Sequence, residues 1–158
     1  VYIRLAREAT PIVTVEETPF EIGKAQLFFT PKEGLTTTVG IIATGSLLHN
    51  ALRAAKQLES EGIGAKVLNV PTIKPLDQEA VLMLAKETGA ILTVEEHQQR
   101  GGLGSEVAEF LTRVLPTKQE YIGVDDKFGQ TGTPDELIEH YGMGVNAIVT
   151  AAKKVIAR

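Results

Sequence analysis

The stretch Ala90-Ile91-Leu92-Thr93-Val94-Glu95-Glu96-His97-Gln98-Gln99-Arg100-Gly101-Gly102-Leu103-Gly104-Ser105-Glu106-Val107-Ala108-Glu109-Phe110 decides the fold. Ile91 to Glu95 reads as a buried strand, since it is a short apolar, β-branched run that ends in polar residues. A polar turn and a glycine-rich corner follow. From Ser105 to Leu115 the apolar residues Val107, Phe110, Leu111, Val114 and Leu115 recur at helical spacing, so an amphipathic helix is predicted there. A strand, corner and helix in immediate succession build a site or an interface at the carboxyl end of a sheet.

The same alternation extends in both directions. Lys24 to Thr30 and Thr37 to Ala43 are predicted strands, and the short Pro31-Lys32-Glu33-Gly34 connection favours pairing them as an antiparallel hairpin. Thr44-Gly45-Ser46 opens a helix with Leu48, Ala51, Leu52, Ala55 and Leu58 inward, closed by Gly62. Ala65 to Val70 is the next strand. Asp77 then caps a helix that turns Ala80, Val81, Leu84 and Ala85 inward. Tyr121 to Val124 is a last short strand. Thr133-Pro134-Asp135-Glu136 combines a Thr cap, a proline at the first helical position and a glutamate three residues after the cap. A final helix from about Val145 carries the stripe Ile148, Val149, Ala152, Val155 and Ile156. Strands separated by helices need crossovers. The predicted fold is therefore a three-layer α/β/α sandwich around a mostly parallel sheet of about five strands, with the first strand an antiparallel edge.

The 158 residues, 43% of them hydrophobic, suit one domain with a real core. A net charge of -4 and no basic stripe argue against nucleic acid as a partner. No apolar run approaches the ~20 residues that cross a bilayer, so no membrane partner is expected and a cytoplasmic protein is. There is no cysteine, and three scattered histidines, His49, His97 and His140, make a histidine-built metal site a poor reading. The chain opens at Val1 on the β-favouring run Val1 to Leu5, a strand without sequence before it to pair with. That opening suggests a piece of a longer polypeptide, with a boundary near Thr18-Pro19.

A dinucleotide site is the first function to test on such a fold, and it fails. In Gly102-Leu103-Gly104-Ser105-Glu106-Val107 a valine replaces the third glycine, and Ala43-Thr44-Gly45-Ser46 lacks the fingerprint altogether. Gly101, Gly102 and Gly104 then have two readings. Either Ser105 and the free amides of the helix start face an anion, or the glycines serve a tight strand-to-helix corner. Glu95-Glu96-His97 ends the central strand, where it is an acid/base group or an interface; the two glutamates alternate in direction, so only one of them lies near His97. Arg4 and Arg7 are either a guanidinium fork for a phosphate or a solvated pair.

Five segments in register carry a family resemblance. Tyr2-Ile3-Arg4-Leu5-Ala6-Arg7, Ala43-Thr44-Gly45, Thr72-Ile73-Lys74-Pro75-Leu76-Asp77, Thr93-Val94-Glu95-Glu96-His97 and Gly101-Gly102-Leu103-Gly104 resemble the C-terminal region of transketolases over nearly the whole chain. Phe128-Gly129-Gln130-Thr131-Gly132-Thr133 looks like that family's segment before the penultimate helix. The resemblance implies two-carbon ketol transfer between sugar phosphates in the pentose phosphate pathway, by a homodimer or by paired subunits. It implies thiamine diphosphate and a divalent cation, magnesium or calcium, bound between a pyrophosphate-binding and a pyrimidine-binding domain that precede this one. Residues 1–20 would then be a remnant of the pyrimidine-binding domain plus a linker, and residues 21–158 the C-terminal domain. By the same resemblance Arg7 matches the arginine that contacts the sugar phosphate, and Arg4 sits beside it.

No catalytic, cofactor or metal role carries over to Glu96, His97, Gly101, Gly102 or Gly104. They remain candidates for an interface or the substrate entrance, in a chain expected to be silent alone. Deoxyxylulose-phosphate synthase and the β subunit of 2-oxoacid dehydrogenases share the domain, but the arginine-rich opening and Glu95-Glu96-His97 favour transketolase. The reading from another class is a non-catalytic interaction or regulatory module on the same fold.

Overall fold

Parity along two neighbouring strands separates the molecule into layers. In β2 (Thr37–Ala43) and β4 (Ala90–Gln98), Val39, Ile41, Ala43, Leu92 and Val94 face one way, while Ile42 and Ile91 face the other. All seven are buried, so both faces of the sheet need cover. α1 (Leu48–Ser60) and α5 (Val145–Ile156) cover the first face. α2 (Gln78–Thr88) and α3 (Leu103–Val114) cover the second. The result, in a computed structural model that describes residues 1–158, is an α/β/α sandwich.

The sheet has the order β1-β3-β2-β4-β5, completed by β1 (Gln26–Phe29), β3 (Gly64–Asn69) and β5 (Lys118–Val124). β3, β2, β4 and β5 are parallel, and β1 is an antiparallel edge. The expected hairpin is corrected in one respect. β1 pairs with β3, Gln26 opposite Asn69, and not with β2, its neighbour in sequence. β2 has β3 on one side and β4 on the other, and both central pairings bury apolar surface on two faces, so β1 is left the outer side of β3. The Asn69 amide donates to the Gln26 side chain at 2.8 Å and satisfies a buried polar group at that edge.

Caps confirm two helix starts. Asp77 accepts from the Ala80 amide at 3.1 Å, and Thr133 is tied to Glu136 by its amide at 2.9 Å and its hydroxyl at 2.8 Å at the head of α4 (Pro134–His140). Those bonds to Thr133 hold the Glu136 carboxyl below the ordinary glutamate range. The N-terminal strand is also corrected. Residues 1–25 contain no regular element, because the β-favouring side chains of Val1 to Leu5 find no partner strand and stay exposed.

This arm is nevertheless fixed at both ends. Arg4 is bonded to the carboxyl end of β4, and at the far end Gly23 donates to the Thr72 hydroxyl at 2.7 Å and Ala25 to Asp77 at 2.9 Å. Between them Val13 packs against the larger core. No helix is long and apolar enough to cross a membrane.

Candidate functional site

The strand order reverses direction after β3, so the carboxyl ends of β2 and β4 diverge into the crevice where open α/β sheets place ligands. Here protein groups fill it. The Thr44 amide donates to the Val94 carbonyl at 3.2 Å, and the Ser46 hydroxyl, in a single 3₁₀ turn over Gly45–Leu47, donates to the Glu96 carboxylate. From the arm, Arg4 Nη1 donates to the Glu96 carbonyl at 2.7 Å. Glu96 thus ties together three segments far apart in sequence.

Glu95 points to the opposite face of β4 and is 2% exposed. Its two carboxylate oxygens accept the Leu103 and Gly104 amides, each at 2.8 Å, at the first turn of α3. The positive end of that helix is therefore neutralised by an anion from the chain itself. Of the two readings of the glycines, the structure supports the tight corner. Gly101 has φ +82, and a Cβ on Gly102 would lie 2.0 Å from Glu95 Oε2 and 2.8 Å from the Gln98 carbonyl. A Cβ on Gly104 would meet the Tyr121 ring at 2.7 Å and Thr93 Oγ1 at 2.8 Å. Ser105 does not face outward either: its hydroxyl donates to the Gln99 carbonyl and accepts from the Gly101 amide. Close by, burial and then the Glu120 carboxylate push the Tyr121 phenol above its ordinary range.

His97 shares the face of Glu95, as alternation along the strand requires. Its Nδ1 lies 3.9 Å from Glu95 Oε2 and 3.0 Å from the Gln98 carbonyl, with about half of its side chain exposed. Glu96, on the other face, is not its partner. Arg7 is apart from all of these: its side chain is 92% exposed and its contact is the neighbouring Glu8. The structure thus brings Glu95, Glu96, His97, Arg4 and the glycine corner to one end of the sheet and leaves Arg7 reaching outward from the arm. No group of three His, Asp or Glu side chains is placed to hold a metal ion, so these residues do not fit the cation of a diphosphate cofactor.

Two contributors escaped the sequence. The sequence marks Ser46 only as a helix opener and Glu95 only as an acid/base or interface residue. The usual cap signal is a short polar side chain directly before the helix, whereas Glu95 acts from eight residues upstream of Leu103.

Comparison with known proteins bears on the family and the fold. The family model described as transketolase, C-terminal domain, matches residues 32–148. A 6-deoxy-6-sulfo-D-fructose transketolase subunit of Clostridium sp. (strain MSTE9) is 45% identical over all of this chain and 48% of its own length. A putative transketolase C-terminal section of Methanocaldococcus jannaschii is 40% identical over 99% of this chain and 47% of its own length. Among solved structures, a split-gene transketolase described as an inactive β4 tetramer superposes with a TM-score of 0.88 at 40% identity, over 96% of this chain and 48% of that one. The chain spans about half the length of these relatives. It belongs to the transketolase C-terminal domain family.

Proposed function

We propose that this chain is the C-terminal part of a thiamine-diphosphate-dependent transketolase, which moves a two-carbon ketol unit between sugars. It would work with a pyrophosphate-binding and a pyrimidine-binding region, on the same polypeptide or on a partner subunit. The observation that supports this reading is the match of the whole chain, arm included, to about half the length of a transketolase subunit and of a putative transketolase C-terminal section. When bound, thiamine diphosphate supplies the stabilised carbanion that carries the ketol unit, and in this reading the preceding regions hold it.

What this chain contributes is packing and one end of the substrate entrance. Arg7 extends from the arm with an always-charged planar fork, which suits the tetrahedral oxyanion at the far end of a sugar. That oxyanion is a phosphate in the general reading. The sulfo-fructose relative favours a second one, in which a sulfonate takes the phosphate's place. The two groups share charge and shape at the arginine, so donor choice needs its own measurement.

The test is a two-carbon transfer assay on the complete enzyme with phosphorylated and sulfonated ketoses as donors. Arg7→Ala is expected to raise KM for the preferred anionic donor by about 10- to 100-fold, the size of a lost charge-assisted contact. Turnover with neither donor class would sink the ketol-transfer reading. An unchanged KM for both donor and acceptor would sink the role of Arg7.

A further inference from the structure

Arg4 and Arg7 lie on one short arm but are held in different ways. Arg4 spends a guanidinium N–H on the main chain, at the Glu96 carbonyl, across 92 residues of sequence. Its acceptor is well anchored, because Glu96 belongs to β4 and its carboxylate is held by Ser46 from the other side of the crevice. Arg7 has no such tether to the domain; its partner is Glu8, one residue along the same arm. Three residues of chain span roughly 10 Å at most, so where Arg4 is pinned sets the backbone position from which Arg7 extends.

We propose that Arg4 is a positioning residue: it pins the arm to β4 through the Glu96 carbonyl and so aims the free guanidinium of Arg7 at the oxyanion of the substrate. The proposal rests on the reading of Arg7 as an oxyanion contact. It separates two arginines that sequence spacing alone treats as one fork. Pinning lowers the entropy that Arg7 must lose when it meets substrate, so its benefit falls on binding and is felt only while Arg7 is present.

A double-mutant cycle on the complete enzyme reads this directly. Arg4→Ala is expected to raise KM for the anionic donor roughly tenfold with kcat nearly unchanged. In the Arg7→Ala background the same change is expected to raise KM by no more than about twofold. Arg4→Lys is expected to recover most of the loss, because an ammonium can donate one bond to a carbonyl but cannot replace a bidentate fork on an oxyanion. Hydrogen exchange over residues 1–12 is expected to quicken in Arg4→Ala and to stay slow in Arg7→Ala.

Multiplicative KM losses in the double mutant, with no rescue by lysine, would overturn the proposal and make Arg4 a second oxyanion ligand. An Arg4→Ala enzyme with wild-type KM and unaltered exchange would overturn it as well. If Arg7→Ala alone leaves KM unchanged, the oxyanion reading of Arg7 is what fails, and the aiming role fails with it.

Discussion

Supplied with thiamine diphosphate, magnesium and sugar phosphates, the 158-residue chain alone is expected to transfer no two-carbon units, and addition of the preceding pyrophosphate- and pyrimidine-binding regions is expected to restore transfer. The reason is the distribution of chemistry. The chain has no cluster of three acidic or histidine side chains for the cofactor's cation, and its exposed Arg7 pairs with the neighbouring Glu8 on the arm. Val1, Tyr2, Ile3 and Leu5 are all more than 70% exposed, which is apolar surface suited to a neighbouring domain. Enzymes accelerate their reactions by about 10⁶-fold or more, so loss of the cofactor-binding regions drops the rate to background rather than to a fraction of normal. A steady-state assay with and without those preceding regions decides it. Turnover by the chain alone, or no recovery on mixing under conditions where a complex forms, would refute the expectation.

Glu95→Ala is expected to destabilise the chain by about 3–5 kcal/mol in urea unfolding. Two amides at a fully buried turn would lose a charged acceptor, each bond being worth about 1.5–3 kcal/mol. No water can take over freely at Leu103, which has no exposed surface. Against a typical domain stability of about 5–15 kcal/mol, that loss threatens folding near body temperature. Glu95→Gln should cost less, about half as much, since the amide oxygen still accepts while its NH₂ faces donors. A loss under ~1 kcal/mol for the alanine variant would mean that the carboxylate is not what holds the start of α3.

Much of this was legible in the residues. The alternation of apolar strands with helices having their own caps, such as Asp77 and Thr133, fixes a layered α/β/α fold from local information, and the antiparallel edge follows from the odd strand outside the crossover pattern. Which strand that edge joins was not legible. A short connection suggests a hairpin, but β1 reaches past β2 to β3 because the inner strand is already paired on both sides. The arm failed for a similar reason: β propensity in Val1 to Leu5 expresses a capacity to pair, and no strand of this chain is free to accept it there. At the site, the glycines pointed to a tight place but not to what crowds it. The crowding group is a glutamate oxygen, and only three dimensions put it under Gly102.

The Glu95 bridge to α3 also bears on the order in which the chain assembles. It closes between residues eight and nine apart, whereas the Asn69 amide that secures the edge strand reaches a glutamine 43 residues away. Closing a short loop costs little entropy and a long one more, so β4 and α3 form a hairpin-sized nucleus that can dock before β1 finds its place. Substitutions at Glu95 are therefore expected to slow folding, with φ-values near the upper end of the range, while Asn69→Ala chiefly speeds unfolding. The reverse pattern in stopped-flow kinetics would place the nucleus elsewhere. A carboxylate that at first suggested acid-base chemistry would then have its main effect in the first moments of the protein's existence.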